Sequence, residues 1–317
     1  MSTTASLAAS PTHVARALVE NVASVVLGKR EKIELVVEGL LAGGHVLLED
    51  VPGVGKTLLS KSLAASLGGT MGRVQGTADL MPSDITGVTV WDPGARLWEL
   101  HPGPLFHNVV LVDEINRATP RAQSALLEAM AEEQVTLDGA ARPLPPPFFV
   151  IATQNPAGET GTFPLGEGQC DRFTLTVSLG LPDRDAERAI ILGKGGPDIL
   201  RRLEPVVDGP TLTAAIAATE AVQVLAPVSD YVLDLVAATR SHPQLSHGAS
   251  PRAARILLRV AKAHAVMAGR DFVTPDDVKA VAAPVLAHRL GAISRAGTPA
   301  ARALVSDLLT RVPAPPA

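Results

Sequence analysis

Residues 50–57 read Asp50-Val51-Pro52-Gly53-Val54-Gly55-Lys56-Thr57, and this octapeptide decides the fold. An apolar run, Val46-Leu47-Leu48, leads into it, and Leu58 to Leu67 follows as a helical run stopped by Gly68-Gly69. Strand, glycine loop, Lys-Thr and helix is the order of a phosphate-binding loop. Small residues let backbone N–H groups curl round a polyphosphate, and the N-terminus of the next helix adds its dipole. In such a loop Lys56 reaches the β- and γ-phosphates of ATP, and the Thr57 hydroxyl is placed to ligate Mg²⁺. The pattern ordinarily opens on glycine, whereas position 50 is Asp. A carboxylate beside phosphate is unfavourable, so Asp50 is expected to weaken the loop.

Downstream, Asn108-Val109-Val110-Leu111-Val112 runs into Asp113-Glu114. A fully apolar run suits a central parallel strand covered on both faces. Where such a strand ends opposite a phosphate loop, its Asp holds Mg²⁺ and the next carboxylate polarises the attacking water. Phe148 to Thr153 is a further strong strand, ending at Gln154-Asn155-Pro156. The C-terminal edge of a parallel sheet lines the ligand crevice, so the Asn155 amide is a candidate to hold that water against Glu114. Gly72 to Gln75 and Thr174 to Leu179 complete the strand candidates. Strands alternating with helices predict an α/β fold, a parallel sheet sandwiched by helices. Two turn-centred stretches interrupt the alternation as β-hairpin insertions. One pairs Val88–Trp91 with Leu97–Leu100 about Asp92-Pro93-Gly94, the other Gln134–Leu137 with Arg142–Leu144 about Asp138-Gly139. Ahead of the phosphate loop, Ala15 to Leu41 reads as two helices broken at Leu27-Gly28-Lys29, a break able to set Val26 and Leu27 beside a purine ring.

From Leu181-Pro182-Asp183 onward only helical signals remain. They run over Asp183 to Leu192, Leu212 to Leu225, Asp230 to Arg240 with Ser229 as cap, Arg252 to Ala268 and Asp276 to Leu290. Ser250-Pro251 and Thr274-Pro275 open the last two, and Pro284 is expected to kink the final one. The chain is therefore expected to divide into a tail (1–14), an α/β nucleotide-binding domain (15–181), an all-α lid domain (182–297) and a C-terminal tail (298–317). A length of 317 residues suits two domains. The net charge of −4, without a lysine-arginine tract, disfavours a nucleic-acid partner. The single Cys170 forms no internal disulfide, which fits a reducing, cytoplasmic setting. No apolar run reaches the ~18 residues of a membrane span. The first ten residues lack both the basic start and the apolar segment of a signal peptide. The eight histidines show no metal-ligand spacing.

Taken in order, the blocks resemble the MoxR family of AAA+ ATPases. The residues that carry this are Leu48 to Thr57, Val112-Asp113-Glu114-Ile115-Asn116-Arg117-Ala118, Gln123 to Met130 and Ala152-Thr153-Gln154-Asn155-Pro156. Gln169-Cys170-Asp171-Arg172-Phe173, Gly248 to Ala253 and Phe272 to Val278 extend the match over about residues 20 to 290. Cys170 stands where the family pattern leads one to expect Leu. The resemblance implies a P-loop sheet ordered 5-1-4-3-2, a helical lid, and a homo-oligomeric ring, a hexamer, with ATP between subunits. It gives Arg172 the part of an arginine finger reaching a neighbour's γ-phosphate, Arg252 that of the lid sensor, and Arg117 a further contact across the interface. The hairpins resemble family insertions that face the pore or a client. The expected function is that of a Mg²⁺-dependent ATPase in chaperone-like remodelling, assembly or metal insertion, with a von Willebrand A-domain protein as one such client. Rival expectations are a nucleotide-gated scaffold in which Asp50 suppresses hydrolysis, a nucleic-acid motor, and a metal-chelatase motor subunit.

Overall fold

The computed structural model describes residues 10–51, 53–154, 162–292 and 297–315. Its centre is a five-stranded sheet. The strands are β1 (Val46–Glu49), β2 (Met71–Gln75), β3 (Val109–Asp113), β4 (Phe149–Gln154) and β5 (Leu175–Val177). They lie in the order β2-β3-β4-β1-β5, every neighbouring pair parallel. Read from the other edge, this is the expected 5-1-4-3-2.

Side chains of successive strand residues point to opposite faces, and here each face meets its own core. Leu48, Val109, Leu111, Phe149, Ile151 and Leu175 pack with the first two helices and much of the lid, while Leu47, Val110, Val112, Val150 and Ala152 pack with Leu126, Leu127 and Met130. Each buried Val or Leu stabilises by about 1.5–3 kcal/mol, which is why the apolar runs of β3 and β4 take the middle of the sheet. The register aligns Glu49 with Gln154 and Gln75 with Asp113. The C-terminal strand ends therefore share one edge, the edge from which a parallel sheet presents its ligand-binding loops.

Both hairpins form: Gly87–Asp92 pairs antiparallel with Leu97–Pro102, and Gln134–Leu137 with Ala140–Pro143. At the end of the first, Trp91 and Trp98 meet edge to face with centroids 5.5 Å apart. The lid comprises helices Arg184–Ile191, Gly209–Glu220, Ala226–Arg240, Pro251–Met267 and Pro275–Leu286, with the short turn Pro197–Leu200. Ser250 and Thr274 cap their helices as expected, accepting from Ala253 N and Asp277 N.

Four details differ from expectation. The lid, expected to be all-α, also carries a short antiparallel strand pair, Leu245–His247 with Gly291–Ala292. Ser229 is no cap: the helix opens at Ala226, with Pro227 in its first turn, and the Ser229 hydroxyl donates to Ala226 O. The stretch expected as a C-terminal tail contains a helix, Gly297–Arg311, whose Ala301, Val305 and Leu308 are buried at helical spacing. The first helix, Pro11–Val25, starts inside the expected N-terminal tail, because Ser10 accepts from His13 N and Pro11 suits a first turn. Pro284, expected to kink the last helix, lies inside it two residues before its end. The helix gives out at Leu286 and tightens into a 3-10 turn, Ala287–Arg289.

Candidate active site

At the end of β1 the backbone turns through Gly53 (φ +88°) and Gly55 (φ +99°) into the helix Lys56–Ser66. Only glycine adopts these angles without strain. A Cβ built at either position would meet nothing within 4 Å, so the loop encloses open space. Val54 is buried and anchors the loop to the core, Val51 is exposed, and Pro52 lies outside the described residues. Lys56 is buried and its Nζ donates to Asp50 O at 2.8 Å. Thr57 is half-buried in the first helical turn. Backbone amides, helix N-terminus, lysine and hydroxyl thus suit a polyphosphate.

Asp50 does not behave as its sequence position suggests. Its carboxylate accepts from Ser178 Oγ (3.0 Å), Leu179 N (2.5 Å) and Gly180 N (3.1 Å), in the chain that leaves β5 for the lid. The charge is matched by three donors beside the linker, and the objection that a carboxylate crowds the phosphates falls away.

Two strands from β1, Asp113 and Glu114 end β3. Neighbouring strands lie about 4.8 Å apart, so the two strand ends are separated by roughly 10 Å, room for a triphosphate. Asp113 accepts from Arg73 Nε (3.0 Å) and NH2 (2.7 Å), an arginine of β2. Glu114 sits in the left-handed region at φ +55°, ψ +52°. Such a conformation costs a non-glycine residue about 1–3 kcal/mol, and where it occurs at a site it signals function. Thr153 Oγ1 holds it by accepting from Glu114 N at 2.9 Å. The carboxylate accepts from Arg117 NH1 at 2.9 Å and from Gln75 Nε2 at 3.5 Å. Gly76 N donates to Asp113 O at 2.7 Å, and a Cβ on Gly76 would come 2.1 Å from Glu114 O. Between the two halves runs β4, whose Gln154 O accepts from Asp50 N at 3.3 Å. Asn155 follows directly and lies outside the described residues.

Beside the loop is a cavity of about 470 Å³ lined by Val26, Gly28, Lys29, Leu179 and Asp183 among others. Its lining is mixed: aliphatic Val26 and Leu179 stand beside charged Lys29, Arg30, Glu31 and Asp183. Val26 lines it; Leu27 packs towards Gly195, where an added Cβ would come 2.9 Å from its side chain. Lys29 Nζ donates to Leu181 O at 2.5 Å, and burial lowers its pKa against the pull of Asp50 and Asp183. Gly28 lies so close to the lid helix Arg184–Ile191 that a Cβ would come 2.5 Å from Ala186 Cβ.

Arg172 and Arg252 lie elsewhere, Arg172 next to Asp171 in sequence and Arg252 paired with it, whereas Arg117 stays at the end of β3. Arg172 NH1 donates to Gly168 O at 2.6 Å, and its Nε is buried without a partner. Arg252, in the first turn of Pro251–Met267, has Nε 3.6 Å from Asp171 Oδ2. Arg117 pairs with Glu114 of its own chain. Among the described residues no group of three or more His, Cys, Asp or Glu could hold a metal. Thr57 and Asp113 would accordingly share Mg²⁺ with phosphate oxygens and water, the usual way this ion is held. Among the same residues no helix is long and apolar enough to cross a membrane. Arg73, Gln75, Gly76 and Thr153 escaped the sequence reading. An arginine and a glutamine in a strand whose neighbours are small were the available signal.

Comparison with known proteins places this geometry. The chain matches the ATPase family associated with various cellular activities (AAA) over residues 45–175 and the AAA lid domain over residues 237–308. It is 43% identical over 272 residues to the uncharacterized protein YeaC of Bacillus subtilis, covering 86% of this chain and 85% of that one. It is 41% identical over 292 residues to chaperone MoxR1 of Mycobacterium tuberculosis, covering 89% of this chain and 77% of that one. The crystal structure of a proposed ATPase from Cytophaga hutchinsonii superposes with a TM-score of 0.88 at 34% identity, covering 96% of each chain.

Proposed function

The chain belongs to the MoxR family of AAA+ ATPases, and from that premise we propose that it hydrolyses ATP with Mg²⁺ in the crevice between β1 and β3 and uses the cycle to remodel a protein partner. The observation that carries this is the pairing of a buried Lys56 at a helix N-terminus with a left-handed, hydrogen-bonded Glu114 on the same sheet edge.

Lys56 and the amides of residues 53–57 bind the β- and γ-phosphates, and the cavity around Val26 and Gly28 takes the adenosine. Thr57 and Asp113 would hold Mg²⁺, which when bound neutralises charge on the phosphates. Glu114 orients a water and accepts its proton, with the Asn155 amide fixing that water from the end of β4. Arg117 holds the Glu114 carboxylate and must release it for this step. Arg172 of a neighbouring subunit in a ring, a hexamer on family grounds, balances the charge developing on the γ-phosphoryl group. Arg252 reads the nucleotide from the lid of the same subunit.

A protein client is favoured by the first hairpin, which exposes Val88, Val90, Trp91, Leu97 and Trp98. Between Gly87 and Pro102 the only basic side chains are Arg96 and His101, set against Asp92 and Glu99, so the hairpin offers little to a phosphate backbone. Assembly or metal insertion, with a von Willebrand A-domain protein as one candidate client, fits such a surface. The scaffold reading loses its ground, because Asp50 is occupied at the lid linker.

Glu114→Gln tests the chemistry. Phosphate release is expected to fall by about 10²- to 10⁴-fold while ATP binding is retained. A variant that turns over at the wild-type rate removes Glu114 from the mechanism.

A further inference from the structure

Arg289 is a lid residue, 7% exposed, in the 3-10 turn that Pro284 induces. A guanidinium has five N–H donors, and all are engaged. Nε donates to Asp171 Oδ1 at 2.9 Å. NH1 donates to Thr174 O at 3.1 Å and to Val285 O. NH2 donates to Asp171 O at 3.3 Å and to Phe173 O. Four of these five acceptors belong to residues 171–174, the segment that carries Arg172. One nitrogen therefore bridges the carbonyls immediately before and after Arg172. Burial lowers the Arg289 pKa to about 10 against the attraction of Asp171, which still leaves it charged at neutral pH. A buried charge is stable only with a complete set of partners, so Arg289 and this loop constrain each other strongly.

Neighbouring lid groups reinforce the grip. His288, kept neutral by burial and by the adjacent Arg289 charge, has Nε2 3.1 Å from Phe173 O. Arg252 approaches the other oxygen of Asp171 at 3.6 Å, and His247 Nδ1 lies 3.5 Å from Glu167 at the start of the same loop. Among the described residues, the core holds the far end, through the buried Phe173 ring and Thr174 N donating to His45 O at 2.7 Å. Asp171 is thus held from the lid side, while Arg172 bonds within its own segment, N to Gln169 O and NH1 to Gly168 O.

We propose that Arg289 is a positioning residue for Arg172, so that the lid of one subunit sets the arginine presented to the ATP of the next. The proposal rests on the reading of Arg172 as a finger that acts across the ring. Arg252 adds the input: an arginine that leaves Asp171 for a phosphate in its own site alters the loop that serves the neighbouring site.

Subunit mixing tests this. Arg289→Gln is expected to lower kcat about 10²-fold, the scale of a misplaced catalytic group, with ATP affinity unchanged because its own site is intact. Glu114→Gln is inactive but carries a well-placed Arg172. Co-assembled, the two should recover turnover several-fold above the sum of the separate variants, since Arg289→Gln sites then receive Arg172 from Glu114→Gln neighbours. A purely structural or same-site role for Arg289 gives no recovery. Arg172→Ala mixed with Glu114→Gln is the companion measurement. Recovery there without recovery for Arg289→Gln overturns the proposal and leaves the finger reading standing; no recovery there overturns the finger reading and the proposal with it. If Arg289→Gln fails to fold, Asp171→Asn, which removes the carboxylate on the more exposed side of the same contact, takes its place with the same outcomes.

Discussion

Asp50 fills the position where a phosphate loop usually has glycine, yet its carboxylate is bound by Ser178, Leu179 and Gly180 at the exit of β5. Introducing the glycine of the generic phosphate loop should therefore harm the protein. Asp50→Gly leaves two backbone amides without their acceptor, and we expect a loss of about 2–4 kcal/mol in unfolding free energy with no gain in turnover. Faster hydrolysis in the variant would restore the inhibitory role of Asp50. A second prediction concerns Gly76, where an added Cβ would strike Glu114 O. Gly76→Ala should lower kcat by at least about tenfold, as expected for a displaced catalytic group, while ATP affinity measured by calorimetry stays put. Lys56, Thr57, Asp113 and Glu114 were legible because strand, loop and helix are contiguous, so local order fixes their places. Arg73, Thr153 and the partners of Asp50 were not. Their roles depend on strand register and on contacts 128–130 residues apart, which no local pattern encodes.

Among the elements, apolar runs and capping residues predicted the strands and most helices, while the sheet order followed from the family resemblance. Ser229 misled because Pro227 in the first turn outcompetes a serine two residues later for the helix start. The helix Gly297–Arg311 was hidden by an alanine-rich sequence beside a proline-rich end. Where lid meets core, a charged cluster joins three helices. His264 Nδ1 lies 2.7 Å from Glu38 of the second helix, its Nε2 is 3.8 Å from Asp277, and Arg270 pairs with Asp277 at 2.5 Å. Glu34 lies near enough to raise Glu38 further. The hydrogen bond to Glu38 raises the His264 pKa despite partial burial and the nearby Arg270 charge. A raised histidine stabilises the fold below its unfolded pKa of about 6.5 and loses that contribution as pH rises through the folded value. Burial also raises Glu38, so it too favours the protonated form on folding. The melting temperature should fall as pH climbs above about 6.5, and His264→Gln should flatten that slope. A slope unchanged by the substitution would show that this cluster does not govern the lid–core contact.

For the molecule as a whole, each domain contributes what the other lacks. The core supplies Lys56, Asp113 and Glu114; helix Arg184–Ile191 packs on Gly28 through Ala186, and the lid grips the Arg172 loop through Arg289. If Arg172 serves a neighbour's site as proposed, assembly is part of the catalysis. All of this depends on the crevice at the sheet edge taking Mg·ATP. Calorimetric titration of the wild-type chain and of Lys56→Ala with ATP and Mg²⁺ tests that most directly. The account predicts saturable heat for about one site per chain in the wild type and its loss in Lys56→Ala; no heat in the wild type, or equal heat in both, would contradict it.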